Sequence, residues 1–155
     1  MIGLRYAVSA LLSVVLLFCL SGCTLQQKFI LEDFQRDVSF EMSGITVRGK
    51  LSYRSGGEST FIVSEPENIS GTVFSADEVS LPDIKISYGK TGDYSPVKIL
   101  LSAVEDVGKR EILLPYEGEY EYTPESSSAE YKIIFDCEKG EIKRIETEKF
   151  LYNFE

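Results

Sequence analysis

Histidine and tryptophan are absent from the 155 residues, and cysteine occurs only 3 times. Without histidine there is no imidazole to activate a serine or cysteine nucleophile and none to ligate a metal. Cys19 and Cys23 fall in an apolar leader, so Cys137 stands alone and no disulfide framework is available. The folded part must therefore be held by an apolar core. Cys137 itself continues an apolar alternation and reads as core filling. Positive charge is scarce too, with 16 Lys+Arg against 25 Asp+Glu and a net charge of -9. Such a surface repels phosphate backbones and anionic head groups, which argues against nucleic acid as a partner and against a basic membrane patch. Asp93, Glu105, Asp106, Asp136 and Glu138 lack the spaced Asp/Asn/Gly pattern of a cation loop, and glycines fall at turns rather than in a phosphate cradle. No enzyme chemistry, no metal and no diffusible cofactor are expected.

What is present begins with the leader. Met1 to Arg5 carries one cation, and Tyr6 to Phe18 is almost unbroken Ala, Val and Leu. That is the order of a secretory signal helix, and the apolar stretch is shorter than the roughly 20 residues a spanning helix needs. It ends in Leu20-Ser21-Gly22-Cys23, which resembles the lipobox of bacterial lipoproteins. The resemblance implies a signal peptide over 1–22, cleavage before Cys23, and a diacylglyceryl group on its sulfur. Two acyl chains anchor a protein stably. The expected address is the outer face of the cytoplasmic membrane, or the outer membrane where the envelope has two. Residues 23–33 read as a lipidated tether too brief to carry the domain far from lipid. Residues 34–155 then make a single domain.

From Phe34 the apolar period is two. Phe34, Val38, Phe40 and Met42 alternate with polar residues, and Ile45, Val47, Leu51 and Tyr53 alternate beyond Ser43-Gly44. A two-residue loop there sets Met42 opposite Ile45, Phe40 opposite Val47 and Val38 opposite Gly49, all on one face. Ser55 to Glu58 turns the chain into Phe61-Ile62-Val63, whose facing is ambiguous because three apolar residues adjoin. Pro66 ends that strand, and Glu67 to Gly71 suits a single helical turn. A loop at Asp77-Glu78 would pair Ala76 with Val79 and Phe74 with Leu81, after which Ile84, Ile86 and Tyr88 alternate.

One segment has helical spacing: Val97, Leu100, Leu101 and Val104, with Ser95 to cap, Pro96 at the first position and Gly108 to terminate. A helix over about 96–107 must lay its stripe on the sheet. Beyond it, Arg110 to Thr123 reads as one strand. A four-residue loop would pair Tyr122 with Tyr131 and Tyr120 with Ile133. Glu138-Lys139-Gly140 closes a hairpin into a last strand, Ile142 to Phe154, whose apolar phase shifts midway as a bulge would make it. The expected fold is mainly β (α+β): a curved antiparallel sheet or half-open barrel of about eight or nine strands, with one covering helix.

The lipobox, the short tether, the hairpin from Val38 to Leu51, the Glu-Pro-Glu-Asn-Ile-Ser-Gly turn at 65–71, the mid-chain helix and the Phe-Asp-Cys-Glu-Lys-Gly-Glu-Ile hairpin at 135–142 together resemble the Lol-type lipoprotein carriers and their Gram-positive relatives. Those proteins are half-open sheets with a helical lid, carrying more helix than this chain, over a cavity that takes acyl chains. A curved sheet under one helix has more concave face than the helix stripe can cover, so Val38, Phe40, Val47, Leu51, Tyr53, Leu100, Leu101, Tyr120, Tyr122 and Tyr131 are the candidates to line an apolar groove. Its expected occupant is a lipid, an acyl chain or a lipidated protein. The other reading of these residues is a filled core, which would make the domain a docking module for an envelope protein.

Overall fold

A computed structural model describes residues 25–56, 59–75, 78–81, 84–87, 95–124 and 131–155. The signal helix, Cys23 and the pairing expected for Ala76 lie outside these residues. The strands are β1 (Gln26–Phe29), β2 (Phe34–Met42), β3 (Ile45–Tyr53), β4 (Thr60–Glu65), β5 (Val73–Phe74), β6 (Glu78–Leu81) and β7 (Ile84–Ser87). After the helix α1 (Pro96–Gly108) come β8 (Ile112–Pro115), β9 (Glu119–Tyr122), β10 (Tyr131–Asp136), β11 (Glu141–Thr147) and β12 (Leu151–Phe154). Ten strands form one antiparallel sheet in the order β7-β6-β5-β4-β3-β2-β12-β11-β10-β9, nine of them four residues or longer. β7 and β9 are its two edges, so the curved sheet stays open. A separate ribbon pairs β1 with β8.

The chain thus draws one meander from the middle of the sheet to one edge, crosses by α1 and β8, and draws a second from the other edge back to the middle. Its first hairpin has the pairing the alternation demands, Met42 with Ile45, Phe40 with Val47 and Val38 with Gly49. Ser43 and Gly44 supply the two positive φ values, 54° and 78°, that a tight hairpin needs. The neighbouring pair resolves the ambiguous triplet. Phe61 and Val63 are buried opposite Leu51 and Gly49, while Ile62 faces out. Glu67–Ile69 forms the expected short turn, of 3-10 type.

Two registers differ from expectation, each by two residues. Phe74 pairs with Val79 rather than Leu81, because Ser75 and Glu78 close the turn: the Ser75 N–H donates to the Glu78 carbonyl at 2.9 Å, and the Glu78 N–H donates to Ser75 Oγ at 3.2 Å. Tyr122 pairs with Ile133 and Tyr120 with Phe135, which leaves Tyr131 beyond the end of β9. A slip of two keeps every side chain on its face, so alternation cannot distinguish the registers.

Two segments read as single strands are divided. Arg110 to Thr123 is two strands in different sheets, broken at Gly118, whose φ of 84° is closed to most residues. The last strand is a hairpin, β11 and β12, in which the Phe150 N–H donates to Thr147 Oγ1 at 2.8 Å. The expected phase shift is a bulge in β11: Phe135 pairs with Ile142 and Ile134 with Arg144, leaving Lys143 as the extra residue. Finally, most of the segment read as tether is fold. Gln27, Lys28 and Phe29 pair with Leu114, Leu113 and Ile112, and Phe29 and Leu31 are buried. β1 is therefore part of the domain.

The helix runs 96–108 and buries Val97, Leu100, Leu101, Ala103, Val104 and Val107. Each such aliphatic side chain contributes roughly 1.5–3 kcal/mol on full burial, so this stripe fixes α1 against the sheet. The Ser95 side chain makes no capping bond; its carbonyl accepts the Ile99 N–H at 3.0 Å. Gly108 does not end the helix by a left-handed turn, since Lys109 closes it in right-handed geometry. The glycine answers a packing need: a Cβ there would stand 1.9 Å from the Tyr53 hydroxyl.

Candidate functional site

Structure brings together the residues expected to line a groove, but as core. Val38, Phe40, Val47, Leu51, Tyr53, Leu100, Leu101 and Tyr131 all belong to one buried cluster, with Leu51 and Leu100 at 0 % exposure. Tyr120 and Tyr122, half-buried, pack against its margin. Phe40 contacts Phe61 and Tyr152 at ring-centroid distances of 6.0 and 5.2 Å. The reason is a second roof. Alongside α1, the β1–β8 ribbon covers the β10 side, setting Phe29 edge-on to Phe135 at 4.9 Å.

Polar groups on this concave side tie the roof down. The Tyr152 hydroxyl donates to the Pro96 carbonyl at 2.8 Å, Tyr131 to Asp106 Oδ2 at 2.6 Å, and Ser59 to Glu105 Oε1 at 2.7 Å. Burial first, and for Tyr131 also the adjoining Asp106 carboxylate, holds both phenols above the usual tyrosine range. Burial likewise pushes the Cys137 thiol up, which disfavours the thiolate a nucleophile needs. Among the described residues no three His, Cys, Asp or Glu side chains converge as a metal would require.

Open space lies elsewhere. A half-open cleft of about 410 Å³ runs between residues 27–36 and the turn before β11. The buried apolar side chains of Phe29, Leu31, Leu114, Ile142 and Phe154 lie at its floor, while the surface it exposes is polar and apolar in similar measure. Charges of both signs stand at its rim, among them Arg36, Lys139, Asp33 and Glu141. Arg36 Nη1 donates to Glu141 Oε2 at 2.9 Å and to the Ile142 carbonyl at 3.2 Å, and its guanidinium lies 6.0 Å from the Phe154 ring centroid. Asp33 accepts the Ser55 N–H at 2.7 Å and the Ser55 hydroxyl at 2.8 Å; the backbone bond is the main cause of its lowered pKa. At the ribbon's end, Gln27 Nε2 donates to the Cys137 carbonyl at 2.6 Å, fixing one wall to the sheet.

None of the ten expected groove residues lines this cleft; of them, Phe40 alone borders a second, open depression of about 530 Å³ beside Leu151 and Asn153. Phe29 and Leu31 lie in the stretch that reads as a tether; their alternation about Ile30 is the signal in the sequence that they share a buried side. An apolar floor under a charge-paired rim can hold an apolar chain that ends in a polar group; it offers no activated nucleophile. Among the described residues no helix is long and apolar enough to cross a membrane. Compared with known families and with curated proteins, the chain matches no family model and no curated protein.

Proposed function

We propose that the protein is an exported, lipid-anchored binding protein without catalytic activity, holding the apolar end of an amphiphile in the cleft beside β1. The lipobox-like Leu20-Ser21-Gly22-Cys23 supports the anchor. The observation that carries the binding role is the 410 Å³ cleft with its apolar floor and charged rim, a size within the usual range for small-molecule sites. The site is thereby moved from the concave face, whose side chains pack against one another. An open antiparallel sheet with a helix across it also agrees with the architecture that the likeness to Lol-type carriers implies, though here the roof leaves the cleft at its flank.

Native mass spectrometry of the exported protein, released from membranes in mild detergent, tests the reading. A lipid or fatty acid should travel with the chain, and Phe154→Ser, which roughens the cleft floor, should lose it. Retention of no lipid by the folded protein would remove the carrier role. The packed concave face favours the second reading in that event, a docking module for an envelope protein, and crosslinking in intact cells would then trap a protein neighbour instead.

A further inference from the structure

The described residues expose eight large apolar side chains, and four of them crowd onto the small β1–β8 ribbon and its ends: Leu25 at 75 %, Ile30 at 54 %, Leu113 at 55 % and Tyr116 at 52 %. Leu113 stands mid-ribbon opposite Lys28, on the side turned away from the buried Phe29, Ile112 and Leu114. Ile30 continues that side two residues past Lys28. Leu25 and Tyr116 flank the opposite end, next to the paired Gln26 and Pro115 but in phase with the other side of the ribbon.

Charge sets the ribbon apart as well. Lys28 and Glu111 are the only ionised side chains within 25–31 and 111–116, and they pair with each other at 2.6 Å. The ribbon is therefore neutral in a chain of net charge -9. Such a surface can approach a layer of head groups without bringing net negative charge to it.

Chain length then fixes the occupant. Only Thr24 lies between Cys23 and Leu25, and an extended chain covers at most about 3.6 Å per residue. Resting on the lipid-anchor reading above, we infer that the outer side of the β1–β8 ribbon lies on the lipid bilayer that holds the Cys23 acyl chains. Leu113 and Ile30 enter the head-group boundary, and the cleft between residues 27–36 and β11 opens beside the bilayer surface.

The absence of tryptophan makes a clean probe possible. Leu113→Trp places a single indole on the ribbon, and Ile62→Trp places one on the exposed convex side of β4, where Ile62 is 40 % exposed. Each full-length protein is exported, purified and reconstituted into phosphatidylcholine vesicles whose acyl chains carry bromine. Flotation and the mass of the N-terminal peptide report lipidation independently of fluorescence. The expected result is flotation of both proteins, with loss and blue shift of emission at position 113 and neither at position 62. Flotation with equal emission at both positions overturns the bilayer contact while leaving the anchor intact. Absence of flotation, or of a diacylglyceryl mass on Cys23, overturns the anchor and the contact with it. Circular dichroism of both variants confirms that each retains its strand content.

Discussion

The half-sheet from β2 to β7 and the half-sheet from β9 to β12 meet at one seam, β2 against β12, but close differently. On the first half the tight points are backbone: Gly49 lies where a Cβ would be 2.4 Å from the Ile62 carbonyl, and Gly108 of α1 is pressed by Tyr53. On the second half the closure is by side chains, Phe29 of the ribbon on Phe135 and the Tyr131 hydroxyl on Asp106. The outer faces differ too. The second half carries a network, Lys132 to Glu121, Arg144 to Glu146 and both Lys143 and Arg144 to Glu119, whereas the first has the separate pairs Arg48 to Glu65 and Lys50 to Asp37. One half is shaped by what it excludes, the other by what it adds.

That contrast can be broken most forcefully at the ribbon. Phe29→Ala removes the ring that roofs β10 and should cost about 3–5 kcal/mol in denaturant unfolding; a tether residue would cost nothing. Gly49→Ala comes next, at about 3 kcal/mol, because a backbone carbonyl cannot step aside as a side chain can. Gly108→Ala should cost less, about 1–2 kcal/mol, since the Tyr53 ring can shift and alanine favours the helix. Pairing it with Tyr53→Leu should recover part of the loss, a coupling that a double-mutant cycle reads directly.

Smaller still are the tyrosine hydroxyls. Tyr131→Phe and Tyr152→Phe should each cost about 1 kcal/mol at neutral pH. Their pH dependence carries a sign. Folding raises both pKa values above the ordinary 10.0, so their share of stability is complete below pH 10 and is lost as pH rises past it, where the unfolded chain ionises first. Denaturant midpoints followed from neutral to alkaline pH should fall less steeply in either variant than in the parent. The least effect belongs to the exposed network: Glu119→Gln should shift the midpoint only at low ionic strength, and salt should erase the difference.

Much of the first half was legible because Ser43-Gly44 and the alternation on each side of it agree, and a one-residue error there would expose half the apolar set. The bulge in β11 was legible for the same reason, since Ile142 and Ile145 are both buried although their parities differ. Registers at Phe74 and Tyr122 were not, because a slip of two costs no burial and the deciding bonds, such as those of Ser75, are local to the turn. β1 was hidden by Gln26-Gln27-Lys28, whose polarity suits a tether; only pairing with β8, 83 to 89 residues away by the paired positions, makes it a strand. Crowding at Gly108 was equally invisible, for nothing near it in the chain announces Tyr53. The site was lost with β1, since its floor is the face that β1 turns inward.

The seam at β2 and β12 has a consequence in time. Tyr152 lies against Phe40 and Phe154 against Val38, and the Glu155 N–H donates to the Asp37 carbonyl at 2.9 Å, so the centre of the sheet is joined by the final five residues of the 155. Emerging amino end first from a ribosome, the polypeptide can assemble each meander as it appears, but the two remain unzipped until β12 has emerged. Joining them closes a loop of more than a hundred residues, whose entropic cost grows only slowly with length. Completion of the fold therefore waits on β12, and a chain arrested before β12 leaves the two meanders unjoined.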